Sequence, residues 1–507
     1  MNHPATPYDE LRYPGKFYPQ AAPSRIGTVA ALFGLRAPPL GASRILELGC
    51  GEGGHLVPFA AAYPEARCLG IDASAGAITR ARDYAERAGV HHCEFRAEDV
   101  RAFPEDAGPF DYIIVHGVYS WVPEAAQQAI LSICARHLAP EGLAYISYNA
   151  YPGGHVRQIM RDLTVFHTKD IPDPADKVRE ARQVCEFIVG SMPPNTLERQ
   201  LFARVLGAYT DSDALIRYDL LAEENEPVYF LDFMEGARAL GLQFVAESGF
   251  AARERVRLPE PVQRWLEAIP DRLVREQYLD FIGCSGFRQS ILCRSNRPLT
   301  AHPSPATLAP VYLRSSLVPA AQDHLTDESA VKFRDAFGRE LTCSEPVPKL
   351  LYAALGAAFP AALPYRQVRE RIEARRGADG PLDALAEGKL VSLLLQSEDS
   401  GALEMYAQPL SFPLEVAVQP RANAVARLQA ERGEALTVRG ASGLLAADAT
   451  LRALVGLLDG SRDSVRLLRD WQRALGASAA PHPDALERAL RLLAAQGLLA
   501  DGAAARR

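Results

Sequence analysis

Three carboxylates, Glu47, Asp72 and Asp99, each close an apolar run, and the first stands just before a glycine cluster at Gly49, Gly51, Gly53 and Gly54. Glycines let a ligand lie against bare backbone, and a turn that leads from a strand into a helix aims free N–H groups at that ligand. The string GCGEGG satisfies the G-x-G-x-x-G spacing of dinucleotide sites through Gly49, Gly51 and Gly54. It also satisfies G-x-G-x-G through Gly49, Gly51 and Gly53, so the glycines alone do not choose a ligand. The acids discriminate. Glu47, two residues before Gly49, would repel a pyrophosphate but suits a cationic amino-acid group. Asp72 (GIDAS) can accept hydrogen bonds from both hydroxyls of a ribose, which either ligand class carries. Asp99, following Glu98, can accept from an adenine amine. A carboxylate after each of the first three strands describes a cradle for a ligand with a positive centre and no phosphate, which points to S-adenosylmethionine over NAD. The expected cofactor contacts are Glu47, Gly49, Cys50, Gly51, Gly53, Asp72, Ala73, Asp99, Val100 and His116. No metal site is expected.

These residues need a frame, and the chain from Arg44 supplies the alternation of a parallel α/β sheet. Strands are expected at Arg44–Cys50, Cys68–Ala73, Glu94–Ala97, Tyr112–His116 and Leu143–Tyr148, with helices at His55–Tyr63, Ala75–Ala88 and Glu124–Leu138. The strands are nearly continuous apolar runs, as burial on both faces requires. A doubly wound sheet of this kind holds its ligand at the carboxyl ends of its strands. Residues 1–39 form an arm with Tyr8, Tyr13 and Tyr18 and one helical pattern, Arg25–Leu35; it either covers the ligand or packs on the surface.

The whole chain sets outer limits. At 507 residues it holds two to four domains. Hydrophobic residues at 48%, charged residues at 23% and a net charge of −7 describe a globular protein with no global pull toward nucleic acid. The eight cysteines sit singly with no C-x-x-C, so neither a zinc site nor a disulfide framework is read. No apolar run approaches the ~20 residues that span a bilayer, and a cytoplasmic protein with no membrane insertion is expected.

Four longer strings carry a resemblance: FDYIIVHGVYSWVP (110–123), AYISYNAYPGGH (144–155), NEPVYFLDFMEGARALGLQFVAES (225–248) and EQYLDFIGCSGFRQSILC (276–293). They resemble class I methyltransferases with a methyltransferase regulatory domain, and the chain is similar to the bacterial, rickettsial-type protein lysine methyltransferases. Gly154 departs from that pattern, which has Trp there. The resemblance implies an α/β fold: a Rossmann-like seven-stranded class I methyltransferase sheet, completed by strands near Leu242–Glu247 and Arg288–Arg294, with a helical insertion. The expected divisions are an arm (1–39), a methyltransferase domain (40–297, insertion about 156–230, regulatory-type segment about 215–297), a linker (298–345) and two winged-helix-like domains (346–420 and 421–507).

In such a fold the ends of the fourth and fifth strands face the transferred methyl group. The catalytic candidates are therefore His116, Tyr119 and Trp121 from HGVYSWVP, and Tyr148 and Asn149 from the fifth strand. Methyl transfer to an amine is an in-line displacement, so positioning counts for more than a strong base. An aromatic wall attracts an alkylammonium through its π face. The resemblance implies protein lysine as acceptor, with the tail recruiting a protein partner or forming a homodimer. Nucleic acid is not favoured, since the arginines of Tyr365–Arg376 alternate with Glu370 and Glu373. Two alternatives stay open: a small-molecule methyltransferase with a dimerising tail, and a non-catalytic cofactor-binding regulator with winged-helix nucleic-acid contacts.

Overall fold

The computed structural model describes residues 12–500, apart from 14, 208, 210–211, 250–257, 377–381, 411–415, 439, 441–442 and 477–480; Tyr8 of the arm lies outside them. Helix α1 (Pro23–Leu32) leads into β1 (Arg44–Leu48), α2 (Leu56–Ala62), β2 (Arg67–Asp72), α3 (Ala75–Arg87), β3 (Cys93–Ala97), β4 (Phe110–Val115), α4 (Glu124–His137) and β5 (Leu138–Asn149). An insertion follows: α5 (Gly154–Thr168), α6 (Pro174–Ser191), α7 (Leu197–Gly207) and a π-helical turn at Ile216–Leu220. Then come α8 (Phe230–Ala239), β6 (Leu242–Glu247), α9 (Glu260–Glu267), α10 (Arg272–Gly283) and β7 (Phe287–Arg294).

The seven strands form one sheet in the order β3-β2-β1-β4-β5-β7-β6, parallel except for β7, which runs antiparallel to both its neighbours. This is the Rossmann-like class I methyltransferase sheet expected from the sequence. Strand order reverses between β1 and β4, and a crevice opens there at the carboxyl ends. Strand residues alternate between two cores. Ile45, Tyr112, Ile114 and Tyr145 face α1, α2 and α3, whereas Leu46, Leu48, Ile113, Val115 and Ile146 face α4 and α8. Apolar burial on both faces is why the strands read as continuous hydrophobic runs.

The insertion has its own small core of Met160, Val178, Cys185, Ile216 and Leu220. Its apolar stripes are only partly used: Phe166 and Phe187 are 71% and 70% exposed. Among the described residues no helix is long and apolar enough to cross a membrane.

Beyond β7 the stretch 298–345 is folded, where a linker was expected. It holds short strands at Tyr312–Arg314, Val318–Pro319, Val331–Arg334 and Glu340–Cys343, and Leu313 and Phe333 are fully buried. Tyr312–Arg314 pairs with Leu363–Pro364 and Glu404–Tyr406, so the expected boundary at 346 cuts through one sheet. Strands of two to four residues are too short to display a period-two pattern, which is why the sequence reads as linker. Three helices, Pro346–Gly356, Tyr365–Arg376 and Ala384–Asp399, complete this unit, and its core is continuous with the α1 side of the large sheet. A second group of helices, Ala424–Glu431, Ala449–Leu457, Ser464–Leu475 and Pro483–Ala495, closes around a separate core that includes Leu454, Trp471 and Leu493.

Candidate active site

The glycine turn is fixed by β2. Gly49 and Cys50 both donate their N–H to the carbonyl of Ile71, at 2.8 and 3.0 Å, which folds the loop back over the neighbouring strand. Gly49 has φ +70°, and a Cβ there would stand 2.3 Å from Val118, so only glycine fits. Gly51 donates its N–H to Asp72 at 2.9 Å, and Ser74 donates its N–H to the other Asp72 oxygen at 2.9 Å. Two backbone N–H groups thereby help to orient the Asp72 carboxylate.

Beneath this turn a cavity of about 510 Å³ opens, and Glu47 lies in its wall. The Glu47 side chain is 4% exposed, and its Oε2 has no hydrogen-bond partner among the described residues. Burial, and the nearby Asp72, hold the Glu47 carboxyl well above the usual carboxylate range. A buried carboxylate oxygen without a donor is costly unless a ligand supplies one. A cationic ammonium does so, and the residues therefore fit S-adenosylmethionine. Asp99 is turned toward Arg101: it accepts from the Arg101 backbone N–H at 2.8 Å and from the guanidinium at 2.6 Å. The Arg101 hydrogen bond keeps its carboxyl below the usual range.

Of the expected cofactor residues, Glu47, Gly49, Cys50, Gly51, Asp72, Ala73, Asp99, Val100 and His116 all line the cavity. Gly53 does not. Its left-handed backbone (φ +73°) shapes the turn, and its α-carbon faces Val57, Phe95 and Ala81.

The arm lies across the same end. Arg12 forms a bidentate pair with the buried Glu52, at 2.8 and 2.6 Å, and Arg80 of α3 joins it at 2.5 Å. Tyr18 donates its N–H to His55 Nδ1 at 3.2 Å, and Phe17 stacks on the His55 ring at 5.0 Å. Tyr18 also lies against His116, with ring centroids 3.9 Å apart. The aromatic arm therefore covers the ligand cavity, and Tyr13, Gly15 and Tyr18 line it.

His116, just after β4, is in hydrogen-bond contact with the buried Tyr145 hydroxyl, Nδ1 to oxygen 3.0 Å. Burial lowers its pKa to about 4, so the ring is neutral at ordinary pH. Trp121 lines the cavity from a 3₁₀ turn at Tyr119–Trp121. Asn149 lines it too, although its amide is engaged: Nδ2 donates to Asn225 at 2.9 Å and the carbonyl oxygen accepts from Arg157.

Tyr119 and Tyr148 are corrections. Neither lines the cavity, and both pack in the opposite core, where Phe233 meets Tyr119 edge-on at 5.3 Å and stacks on Tyr148 at 4.2 Å. Successive strand residues face opposite sides, so the burial of Tyr148 follows from Asn149 facing the cavity. In the 3₁₀ turn, with about three residues per turn, Tyr119 and Trp121 point in different directions, which sends Tyr119 to the core and Trp121 to the cavity. Residues that sequence reasoning missed are Arg157, Tyr218, Asp219 and Phe287, which all line the cavity from elements after β5. Phe287 is placed by register, opposite Asn149, and the next residue, Arg288, is fully buried among Glu247, Glu276 and Asp280 at 3.2, 2.8 and 3.0 Å.

Comparison with known proteins gives concordant results. Residues 45–142 match the model of a methyltransferase domain, and 212–294 that of a predicted methyltransferase regulatory domain. Two uncharacterized proteins of Rickettsia prowazekii are similar. One is 36% identical over 295 residues, covering 57% of this chain and 53% of that protein. The other is 35% identical over 235 residues, covering 46% of this chain and 93% of that protein. The chain thus spans about half the length of the first of these relatives and nearly all of the second. Among solved structures, PKMT2 from Rickettsia typhi in complex with AdoHcy has a TM-score of 0.83 at 24% identity, covering 96% of this chain and 99% of that one.

Proposed function

This chain belongs to the class I S-adenosylmethionine-dependent methyltransferases with a methyltransferase regulatory domain, and from that we propose that it methylates an amine nitrogen, with protein lysine as the acceptor. The observation that carries the reading is the charge and shape of the cavity. In its wall Glu47, Glu52, Asp72, Glu98, Asp99 and Asp219 outnumber Lys16, Arg80, Arg101 and Arg157, and the acceptor side is aromatic. Such a wall suits a cationic or alkylamine acceptor and disfavours an anionic one. The fold shared across the chain with the neighbour named PKMT2 supports the same reading.

When bound, S-adenosylmethionine supplies an electrophilic methyl group on a cationic sulfur. In this reading Glu47 accepts from its ammonium, Asp72 from the ribose hydroxyls and Asp99 from the adenine amine, while the Gly49–Gly51 backbone gives room for close approach. Tyr18, seated on His116, excludes water from the donor end. Neutral His116 adds no positive charge of its own to the wall, and Trp121 and Phe287 hold the acceptor's alkyl stem. Positioning and dehydration then do most of the work, as an in-line displacement demands. For the tail we propose two winged-helix-like units that dock the protein acceptor or a second copy of the chain.

The test is transfer of tritium from methyl-labelled S-adenosylmethionine to lysate and cell-envelope proteins. Label in protein that survives mild base, as N-methyl groups do, is the expected result. Base-labile label would mark a carboxylate acceptor, and label confined to small soluble molecules would favour a metabolite; either outcome defeats the proposal.

A further inference from the structure

The acceptor end of the cavity holds a carboxylate that the cofactor cradle does not use. Asp219 and Tyr218 sit in the π-helical turn Ile216–Leu220 and both line the cavity. A π turn re-aims side chains and occurs frequently at functional sites. This one is pinned by buried amides. Asn225 Nδ2 donates to the Asp219 carbonyl at 2.9 Å, Asn149 Nδ2 donates to Asn225 Oδ1 at 2.9 Å, and the Asn149 N–H donates to Ser120 Oγ at 2.8 Å. The turn is therefore tied to the carboxyl end of β5, where the acceptor must lie.

The surroundings of the carboxylate suit a cation. Trp121 and Tyr209 hydrogen-bond to it, and burial pushes its pKa up. Arg157 is near, and its Nη1 donates to the Asn149 carbonyl oxygen instead of to the carboxylate. A carboxylate has about four acceptor positions, and two donors leave room for more. We propose that Asp219 is the acceptor-recognition carboxylate, binding the ammonium head of a primary-amine acceptor alongside the rings of Trp121 and Tyr218; the head gives up one proton to water before its nitrogen forms the new N–C bond as the S–C bond of the donor breaks. The assignment rests on the amine reading above and deepens it. It makes the π turn, which belongs to the regulatory-domain segment, a direct part of the substrate site. Asn149 and Asn225 become positioning residues that hold the turn.

The experiment uses the full chain loaded with S-adenosylhomocysteine and titrated with a lysine-containing hexapeptide or its norleucine counterpart, in wild type, Asp219→Asn and Asp219→Glu. Wild type should prefer lysine by at least about tenfold, the Asn variant should lose that preference, and the Glu variant should recover part of it. Affinity for S-adenosylhomocysteine should stay within about twofold in all three. An unchanged preference in Asp219→Asn, while wild type methylates the lysine peptide, overturns the assignment and leaves the amine reading standing. Loss of S-adenosylhomocysteine affinity in both variants makes Asp219 a fold residue and overturns it equally. Failure of wild type to bind or methylate the lysine peptide, with label passing to a carboxylate instead, overturns both.

Discussion

The backbones of Gly15 and Gly54 are in contact: a Cβ on Gly54 would stand 2.4 Å from the Gly15 carbonyl carbon and 2.6 Å from its oxygen. The arm and the cofactor turn meet here with no side chain between them, and the Arg12–Glu52 pair lies close by.

Gly54→Ala should therefore lift the arm, because backbone atoms on both sides have no rotamer with which to yield. Overpacking of this kind costs about 1–3 kcal/mol. The expected outcome is a faster off-rate for S-adenosylhomocysteine and earlier protease cleavage near residues 12–18. Wild-type dissociation kinetics in the variant would show that the arm is seated by other contacts.

Asp72→Ala should weaken cofactor binding at least about tenfold, since a lost hydrogen bond to a charged group costs about 1.5–3 kcal/mol. Unchanged affinity by calorimetry removes Asp72 from the ribose role. Glu47 gives a sharper signature. Its carboxyl is held well above the usual range by burial, and a bound ammonium would favour the ionised form. Binding should then release a proton, and affinity should rise with pH across the Glu47 titration. Calorimetry in buffers of different ionisation enthalpy measures that release, which Glu47→Gln should abolish.

Acid should destabilise the fold through two histidines. Burial lowers His116 to about 4 and His55 to about 3, both below the ordinary value near 6.5. The folded chain keeps both rings neutral while the unfolded chain takes up protons first. Stability is thus full above about pH 6.5 and falls as pH drops toward 4, by on the order of 3 kcal/mol for His116 alone. Thermal melts between pH 7.5 and 4.5 measure the slope, and His116→Gln should flatten it. An equally steep slope in that variant would place the proton uptake elsewhere.

Truncation near residue 300 should not leave a sound methyltransferase. The apolar core of α1 continues into Leu308, Leu313, Leu390 and Leu394. Polar ties cross the same boundary: Arg25 pairs with Glu398, Ala407 donates its N–H to Thr28 Oγ1 at 3.1 Å, and Gln408 donates to the Pro38 carbonyl at 2.9 Å. Cutting there exposes a large apolar face, so the fragment should aggregate or bind a hydrophobic dye. A soluble, cooperatively melting fragment would contradict this. The final unit is also anchored, by the fully buried Arg314, which donates to Glu404 at 2.8 Å, to the Pro360 carbonyl at 3.0 Å and to the Ala495 carbonyl.

The donor half of the cavity was legible in the sequence because it is local. Strand, glycine turn and helix follow one another directly, and the acids close strands that can be read one at a time. The acceptor half is not local. Asn149 was picked out as chemistry-bearing, but its bonds go to Arg157 and to Asn225, the latter 76 residues away. Asp219 sits in a turn whose π geometry no hydrophobic period announces, and Phe287 reaches the cavity only through the antiparallel register of β7 against β5. Tyr148 was misplaced by one residue of strand alternation. The folded stretch 298–345 reads as linker because its strands, of two to four residues, are too short to show alternation, and Tyr312–Arg314 takes its partners from the distant Leu363–Pro364 and Glu404–Tyr406.

The donor cradle is drawn from residues 47–101, whereas Arg157, Tyr218 and Asp219 come from an insertion with a core of its own. The two ends of one cavity are thereby open to separate histories. On the proposed reading, substitutions in the insertion should change acceptor choice while leaving Glu47, Asp72 and the glycine turn in place, so the two specificities can be altered separately.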